Sequence, residues 1–207
     1  LINYLVDGNG RVLVSNKFKP GLNSLPNLPK FGMRMSIPKA FQNLTWFGNG
    51  PHESYWDRKS STVVDIFSGL VSEQYHPYVR PQENGNKTDV RWATLRDNDG
   101  IGLMIKGYLS FNVSDLNFED YNNKLNKFKS DIIQKKRNMH TIDLKEAKAI
   151  NLDIDYLQMG VGGEDSWGAQ PMDKYQIKPK EYSYHFMIIP IDKNDNPLEL
   201  YKPNDSN

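Results

Sequence analysis

The residues best suited to chemistry lie in a glycine-rich loop at residues 159–168. This loop carries four glycines, two carboxylates and Trp167, and it follows an apolar run at residues 150–157 that predicts a strand. Because glycine has no Cβ, Gly162 and Gly163 can adopt positive φ and let the loop fold tightly. An indole can cover the apolar face of a sugar ring while its N–H keeps a polar partner. The loop therefore predicts either a saccharide platform at Trp167 or a tryptophan that packs against the adjacent sheet.

Two polar neighbours of Trp167 are predicted to support this loop. Asp165 and Ser166 are residue types that bond their own backbone in turns, so we expect them to hold the loop and not to contact a sugar.

A second set of candidates for chemistry is the adjacent pair His52 and Glu53. A histidine beside a carboxylate can exchange protons near neutral pH. Adjacent residues on a strand point to opposite faces, however, which favours structural roles for both. The four histidines are far apart and lack the spacing of a zinc motif.

Composition excludes several classes of protein. The 207 residues include 26 basic and 25 acidic side chains, and this near balance gives no electrostatic reason to expect nucleic acid or an anionic membrane as partner. The sequence lacks an apolar run of the ~18 residues that a membrane-spanning helix needs. Cysteine is absent, so a disulfide framework is excluded. We expect a soluble protein whose compartment the sequence leaves open, and a chain that begins inside a longer protein.

Alternating apolar and polar residues predict many short antiparallel strands. Asp-Gly and Asn-Gly pairs predict hairpin turns at residues 7–10 and 97–100. Further strands are predicted at residues 31–37, near 140–144, at 150–157 and at 182–191. Residues 60–74 fit a strand or a helical turn equally well.

One short peripheral helix is predicted, and Asn117 is its capping residue. Many antiparallel strands with one helix indicate two large sheets packed face to face. We expect one domain at residues 1–191, followed by a frayed polar tail at residues 192–207.

Three sequence blocks resemble one known family in the order in which they occur. The blocks are residues 46–59, 78–92 and 160–168, which read WFGNGPHESYWDRK, YVRPQENGNKTDVRW and GVGGEDSWG. They are similar to the carboxy-terminal domain of large bacterial β-galactosidases, the small-chain type fifth domain of glycoside hydrolase family two. The resemblance covers about residues 1–190. It implies a β-supersandwich like that of galactose mutarotase.

The resemblance also implies how the chain would function. The family's two catalytic glutamates lie in a barrel domain outside these residues, so we expect no catalytic residue here and no hydrolysis by this chain alone. Trp167 matches the family's tryptophan that reaches into the barrel's active site and stacks on the sugar. The expected partners are the remainder of a β-galactosidase, a galactoside substrate and a second copy in a homo-oligomer. We expect no cofactor on this chain, with magnesium and sodium bound elsewhere in the enzyme.

Spacing alone does not single out a carboxylate pair for glycoside hydrolysis, which needs two carboxyl groups flanking one bond. The candidates are Glu53, Asp57, Glu83, Asp89, Glu164 and Asp165. Asp89 and Glu83 are also both candidates for an ion pair with Arg91. Two other functions stay open at this stage. One is a carbohydrate-binding module without chemistry, and the other is a mutarotase-like aldose epimerase.

Overall fold

Nine antiparallel strands make up most of the computed structural model, which describes residues 1–21, 25–79, 81–116, 140–163, 165 and 167–201. They are β1 (Ile2–Val6), β2 (Val12–Phe18), β3 (Lys30–Ile37), β4 (Asn43–Gly50), β5 (Val63–Leu70), β6 (Lys87–Arg96), β7 (Gly102–Leu116), β8 (Glu146–Gln158) and β9 (Tyr182–Ile191). The predicted all-β fold is confirmed. A four-residue helix, α1 (Pro197–Leu200), lies near the end of the described chain.

The long strand β7 joins these strands into one hydrogen-bonded network. The order of the main path is β1-β2-β9-β7-β6-β4-β5, and β8 and β3 branch from β7. Residues Gly102–Lys106 of β7 pair with β9, whereas Ser110–Leu116 pair with β8. The network therefore divides into two arms, one of β9, β2 and β1 and the other of β8 and β3, as expected for a sandwich.

Aromatic side chains join the two arms. Phe31 of β3 lies 5.8 Å from Phe18 of β2 and 5.2 Å from Tyr184 of β9, measured between ring centroids. The Tyr184 hydroxyl also donates a hydrogen bond of 2.9 Å to the carbonyl of Ile154 in β8. Burying large rings between the arms gives each arm an apolar surface to pack against.

Both faces of the central strands are packed. The main cluster draws buried residues from seven strands and includes Leu44, Trp46, Phe111 and Phe186. A smaller cluster on Trp92 and Met104 includes the partly buried Leu200 and Tyr201. The segment 192–201, expected as part of a polar tail, thus contacts the sheet in its last described residues.

The ambiguous and peripheral segments have mixed outcomes. Residues 60–74, left open between strand and helical turn, contain β5 followed by a 3₁₀ turn at Val71–Gln74. The strand predicted near residues 140–144 is wrong. A 3₁₀ turn occupies Thr141–Asp143, closed by the Asp143 carboxylate on the His140 amide, and β8 begins at Glu146. The helix predicted at Asn117 lies outside the described residues.

A glycine in β3 permits close contact with β8. Gly32 opposes Asp155 beside a bulge at Tyr156, and a Cβ on Gly32 would lie 1.7 Å from Asp155 Oδ1 and 2.5 Å from Asp155 Cα. Because one of these atoms is backbone, a side-chain rotation cannot relieve the clash.

We expect Gly32→Ala to lower the free energy of unfolding by about 2–3 kcal/mol, because the buried strands must separate to admit the methyl group. Urea unfolding measures this change. Gly8→Ala is the matched control, since a Cβ at Gly8 meets nothing within 4 Å, and its effect should stay within about 0.5 kcal/mol. Equal effects of the two substitutions would contradict the close contact at Gly32.

Candidate functional site

The glycine-rich loop leaves β8 at Gln158 and presents Trp167 to solvent. Gly162, Gly163 and Gly168 have φ of +65°, +95° and +92°, a region that suits glycine. The Trp167 side chain is 93% exposed. A tryptophan is usually buried in large part, but this side chain does not pack against the sheet.

Asp165 holds the backbone on both sides of Trp167. Its Oδ1 accepts hydrogen bonds from the amides of Trp167, at 2.7 Å, and Ala169, at 3.3 Å. This is the side-chain to backbone contact of an Asx turn. The supporting roles of Gly162 and Gly163 agree with their backbone angles, whereas Ser166 lies outside the described residues.

A second carboxylate reaches the loop from a distant part of the chain. Asp57 accepts hydrogen bonds from the amides of Val161, at 3.1 Å to Oδ1, and Gly162, at 2.8 Å to Oδ2. The sequence pattern gave no indication of this contact, because it joins residues 104 and 105 positions apart.

The remaining candidate carboxylates each have protein partners of their own. Glu53 accepts from Arg58, Tyr78 and the amide of Gly85. Glu83 accepts from Asn112 at 2.8 Å. The structure thus engages these acids in structural contacts and does not single out a pair for glycoside hydrolysis. Glu164 lies outside the described residues.

Asp89 also serves as a structural acceptor. Its carboxylate accepts from Lys59, Tyr108 and Asn49 at 2.7 to 2.8 Å. The Arg91 guanidinium donates to the Asp89 backbone carbonyl and lies over the rings of Phe47 and Tyr108. Of the two acidic residues that were candidates for Arg91, Asp89 accepts its hydrogen bond, through the backbone carbonyl.

His52 and Glu53 make separate contacts. The His52 ring nitrogen Nε2 lies 3.2 Å from Ser61 Oγ, whereas Glu53 turns to Arg58 and Gly85. These separate contacts agree with the prediction that both residues have structural roles.

A charged cluster with two buried aspartates lies at the β3–β8 pairing, and the sequence pattern did not indicate it. Lys30 Nζ lies 2.6 Å from Asp153 Oδ2 and 3.7 Å from Asp155 Oδ2, and Arg34 binds Asp153 through two nitrogens. The two aspartates are 7% and 2% exposed. Alternation along β8 at residues 153 and 155 is the sequence signal that they share a face.

The two aspartates have opposite pKa shifts. The pKa of Asp155 is raised to about 7, chiefly because the carboxyl group is buried; the charges of Asp153 and Glu83 add to this rise, whereas Lys30 and Arg34 oppose it. Burial also acts to raise the pKa of Asp153, but hydrogen bonds and charges from Arg34 and Lys30 outweigh it and hold that pKa below its ordinary value. The cluster therefore favours one protonated and one ionised aspartate.

Within the ranges described above, histidine and acidic side chains do not form a group of three that could hold a metal ion. None of the helices there is long and apolar enough to cross a membrane.

A family model and several known proteins match most of this chain. Residues 1–188 match the family model described as Beta galactosidase small chain. A β-galactosidase of Priestia megaterium is 35% identical over 92% of this chain, and one of Streptococcus thermophilus is 31% identical over the same share. A third, from Lactobacillus delbrueckii subsp. bulgaricus, is 36% identical over 81% of this chain. The chain spans 15 to 17% of the length of these relatives.

The fold and the loop define an all-β domain that presents an exposed aromatic side chain from a braced, glycine-rich segment. With the match over 188 residues, the chain belongs to the β-galactosidase small chain family.

The raised pKa of Asp155 predicts a pH dependence of stability. The folded state favours protonated Asp155, so its contribution to stability is complete below the ordinary pKa of 3.8 and is lost as pH rises through about 7. Relative to the unsubstituted chain, Asp155→Asn should gain on the order of 4 kcal/mol in free energy of unfolding between pH 4 and pH 8. Urea unfolding at the two pH values measures the difference.

Asp153→Asn is the matched control for this prediction. The lowered pKa of Asp153 contributes stability above 3.8 that is lost as pH falls. This control should therefore be most destabilised at neutral pH, the opposite of Asp155→Asn. Parallel pH profiles for the two variants would contradict the assignment.

Proposed function

We propose that this chain is the carboxy-terminal domain of a β-galactosidase, that it packs against a catalytic barrel, and that it supplies Trp167 to the sugar-binding site. Substrates are terminal β-D-galactosides. The single observation that carries the proposal is the almost complete exposure of Trp167 on a loop that two aspartates brace.

The exposed indole provides a binding free energy of useful size. If stacking on a sugar removes on the order of 100 Å² of apolar surface from water, the gross gain is roughly 2–3 kcal/mol. Ordering costs on binding reduce this gain. A loop already held by Asp57 and Asp165 loses less conformational freedom on binding than a free one, so more of the gain is retained.

The chemistry belongs to residues outside this chain. The described carboxylates among the six candidates are engaged by backbone amides or side-chain donors, and the chain matches about a sixth of the length of relatives that carry the name β-galactosidase. The acid/base and nucleophile of a retaining mechanism, about 5–5.5 Å apart, are therefore assigned to the barrel. Magnesium and sodium, where the enzyme uses them, bind elsewhere in the full-length enzyme.

The partners follow from this assignment. The remainder of the β-galactosidase contacts this chain around the Trp167 loop, and the galactoside is held between them. Assembly of the complete enzyme into a homo-oligomer is a further part of the proposal.

The test compares hydrolysis of an aryl β-galactoside by the chain alone, the full-length enzyme that carries it, and that enzyme with Trp167→Ala. We expect no turnover by the chain alone and a rise in KM of about tenfold for the variant, because the stacking surface is removed. Trp167→Phe should recover part of the loss, since it keeps an aromatic face.

Tyr4→Ala is the control, because Tyr4 is a 60% exposed aromatic residue on β1, far from the loop in sequence. It should leave KM unchanged. Turnover by the chain alone would overturn the assignment of chemistry to the barrel. Binding of galactosides by the chain, with no activity of any longer protein, would favour the carbohydrate-binding module. Galactose mutarotation by the chain above the buffer rate would favour the epimerase.

A further inference from the structure

The Trp167 loop is attached to a rigid turn that lies more than a hundred residues earlier. Tyr55 and Arg58 close this turn with two backbone hydrogen bonds, of 3.0 and 2.9 Å. Tyr55 is 1% exposed, so the turn is anchored in the protein interior. Trp56 and Asp57 occupy its tip.

Further bonds fix the turn to the sheet. The Ser54 amide donates to the Asn86 carbonyl at 2.7 Å, and the Asn86 side chain returns a bond of 2.8 Å to the Ser54 carbonyl. Arg58 forms an ion pair with Glu53, whose other oxygen accepts from the Gly85 amide at 2.8 Å. The Asp57 carboxylate is therefore presented from a support with little freedom to move.

The tip of the turn contacts the start of the Trp167 loop and the segment that follows the loop. Asp57 binds the amides of Val161 and Gly162 at the start of the loop. Trp56 packs edge-on against the ring of Tyr175, in the 3₁₀ turn Asp173–Tyr175, with centroids 5.8 Å apart, and the Tyr175 carbonyl accepts from the Gly160 amide at 2.8 Å. One turn thus braces the loop before Trp167 and contacts the segment beyond it.

The loop sequence is adapted to this contact. A Cβ on Gly160 would lie 2.5 Å from Asp57 Oδ2 and 3.0 Å from Tyr175 Cβ. Glycine at position 160 lets the carboxylate approach the two amides that follow. Binding two adjacent N–H groups through two oxygens also requires a carboxylate, because an amide side chain would place its NH₂ against one of these donors.

We propose that Asp57 is a positioning residue for Trp167: its carboxylate holds the loop so that the indole stands where the sugar binds. This inference rests on the proposed function of Trp167. Asp57 lies in the first sequence block, residues 46–59, and acts on Trp167 in the third block, residues 160–168.

The hydrogen bonds themselves are tested in this chain by amide hydrogen exchange, measured by NMR. Asp57→Asn should speed exchange of the Val161 and Gly162 amides by about tenfold or more, because one amide loses its acceptor and meets a donor. Asp97→Asn is the matched control. Asp97 also accepts two backbone amides, those of Asp99 and Ile101, at 2.9 Å, but in the β6–β7 turn.

The control should leave exchange at Val161 and Gly162 unchanged. Unchanged exchange at these amides in Asp57→Asn would overturn the proposal, whatever the role of Trp167.

The effect on the sugar site is tested by a double-mutant cycle of Asp57→Asn and Trp167→Ala in the full-length β-galactosidase that carries this chain. With Trp167 present, we expect Asp57→Asn to raise the KM for an aryl β-galactoside by about three- to tenfold. In the Trp167→Ala background it should change KM by less than about twofold, because a positioning residue has nothing left to position. Asp97→Asn should leave KM unchanged in both backgrounds.

The outcomes separate the two proposals. Equal effects of Asp57→Asn with and without Trp167 would overturn the positioning role, since the residue would then act through the fold as a whole. An unchanged KM for Trp167→Ala would instead overturn the proposed function on which that role depends.

Discussion

A β-strand has two edges for hydrogen bonds, and β7 uses its two edges for three neighbours. One edge pairs with β6, and the other passes from β9 to β8 between Lys106 and Ser110. Gly107 lies in this interval, where a Cβ would lie 3.1 Å from Phe186 Cβ. Because β9 and β8 diverge from one strand, the arms they begin can pack on each other, and aromatic rings from four strands fill the space between them. The sandwich character of the fold follows from this division.

The same division determines where the Trp167 loop begins. β8 pairs with β7 through residues 146–155 and with β3 through residues 150–158, so its last residue is held by a neighbour. The bond from the Met159 amide to the Pro29 carbonyl extends this support by one residue. Beyond it the glycines would leave the chain free, since they permit many backbone conformations. Asp57 and Asp165 restrict that freedom, and the exposed indole of Trp167 is therefore presented in a defined place.

Local pattern predicted much of this architecture. Alternation at residues 31–37 predicted β3 closely, because a period-two pattern follows from burial of one face. The Asp-Gly and Asn-Gly pairs at residues 7–10 predicted the turn after β1, although β1 itself is exposed along its whole length. The loop of Trp167 was also identifiable, since its glycines and its single large aromatic residue are contiguous. Residues 60–74 stayed ambiguous because a strand and a 3₁₀ turn follow one another there without an intervening break. The strand predicted near residues 140–144 was wrong because a 3₁₀ turn lies there. The Asp143 carboxylate caps this turn on the His140 amide, and the spacing of apolar residues does not indicate such a cap.

Contacts across long sequence separations were not predictable in this way. Asp57 reads as one more charged residue in the run Asp57-Arg58-Lys59, and its two acceptor bonds depend on a turn and a loop that meet only in the fold. The pKa of Asp155 likewise depends on the charges of Lys30, which lies on another strand, and of Glu83, which lies in a loop. Long-range hydrogen bonds of this kind leave no periodic trace in either segment, so a sequence pattern identifies the participants but not their pairing.

The buried cluster on β8 connects these observations to the loop. Removing the Asp153 and Asp155 carboxyl groups from water is unfavourable, and buried charged groups often add little to stability even when paired. They do, however, discriminate between registers. A slip of one residue between β3 and β8 would turn both aspartates to the opposite face and separate them from their cations, leaving buried charges unpaired. Since β8 leads directly into residues 159–168, its register determines where Val161 and Gly162 meet Asp57. The charged cluster thereby constrains the loop that carries Trp167 without touching it.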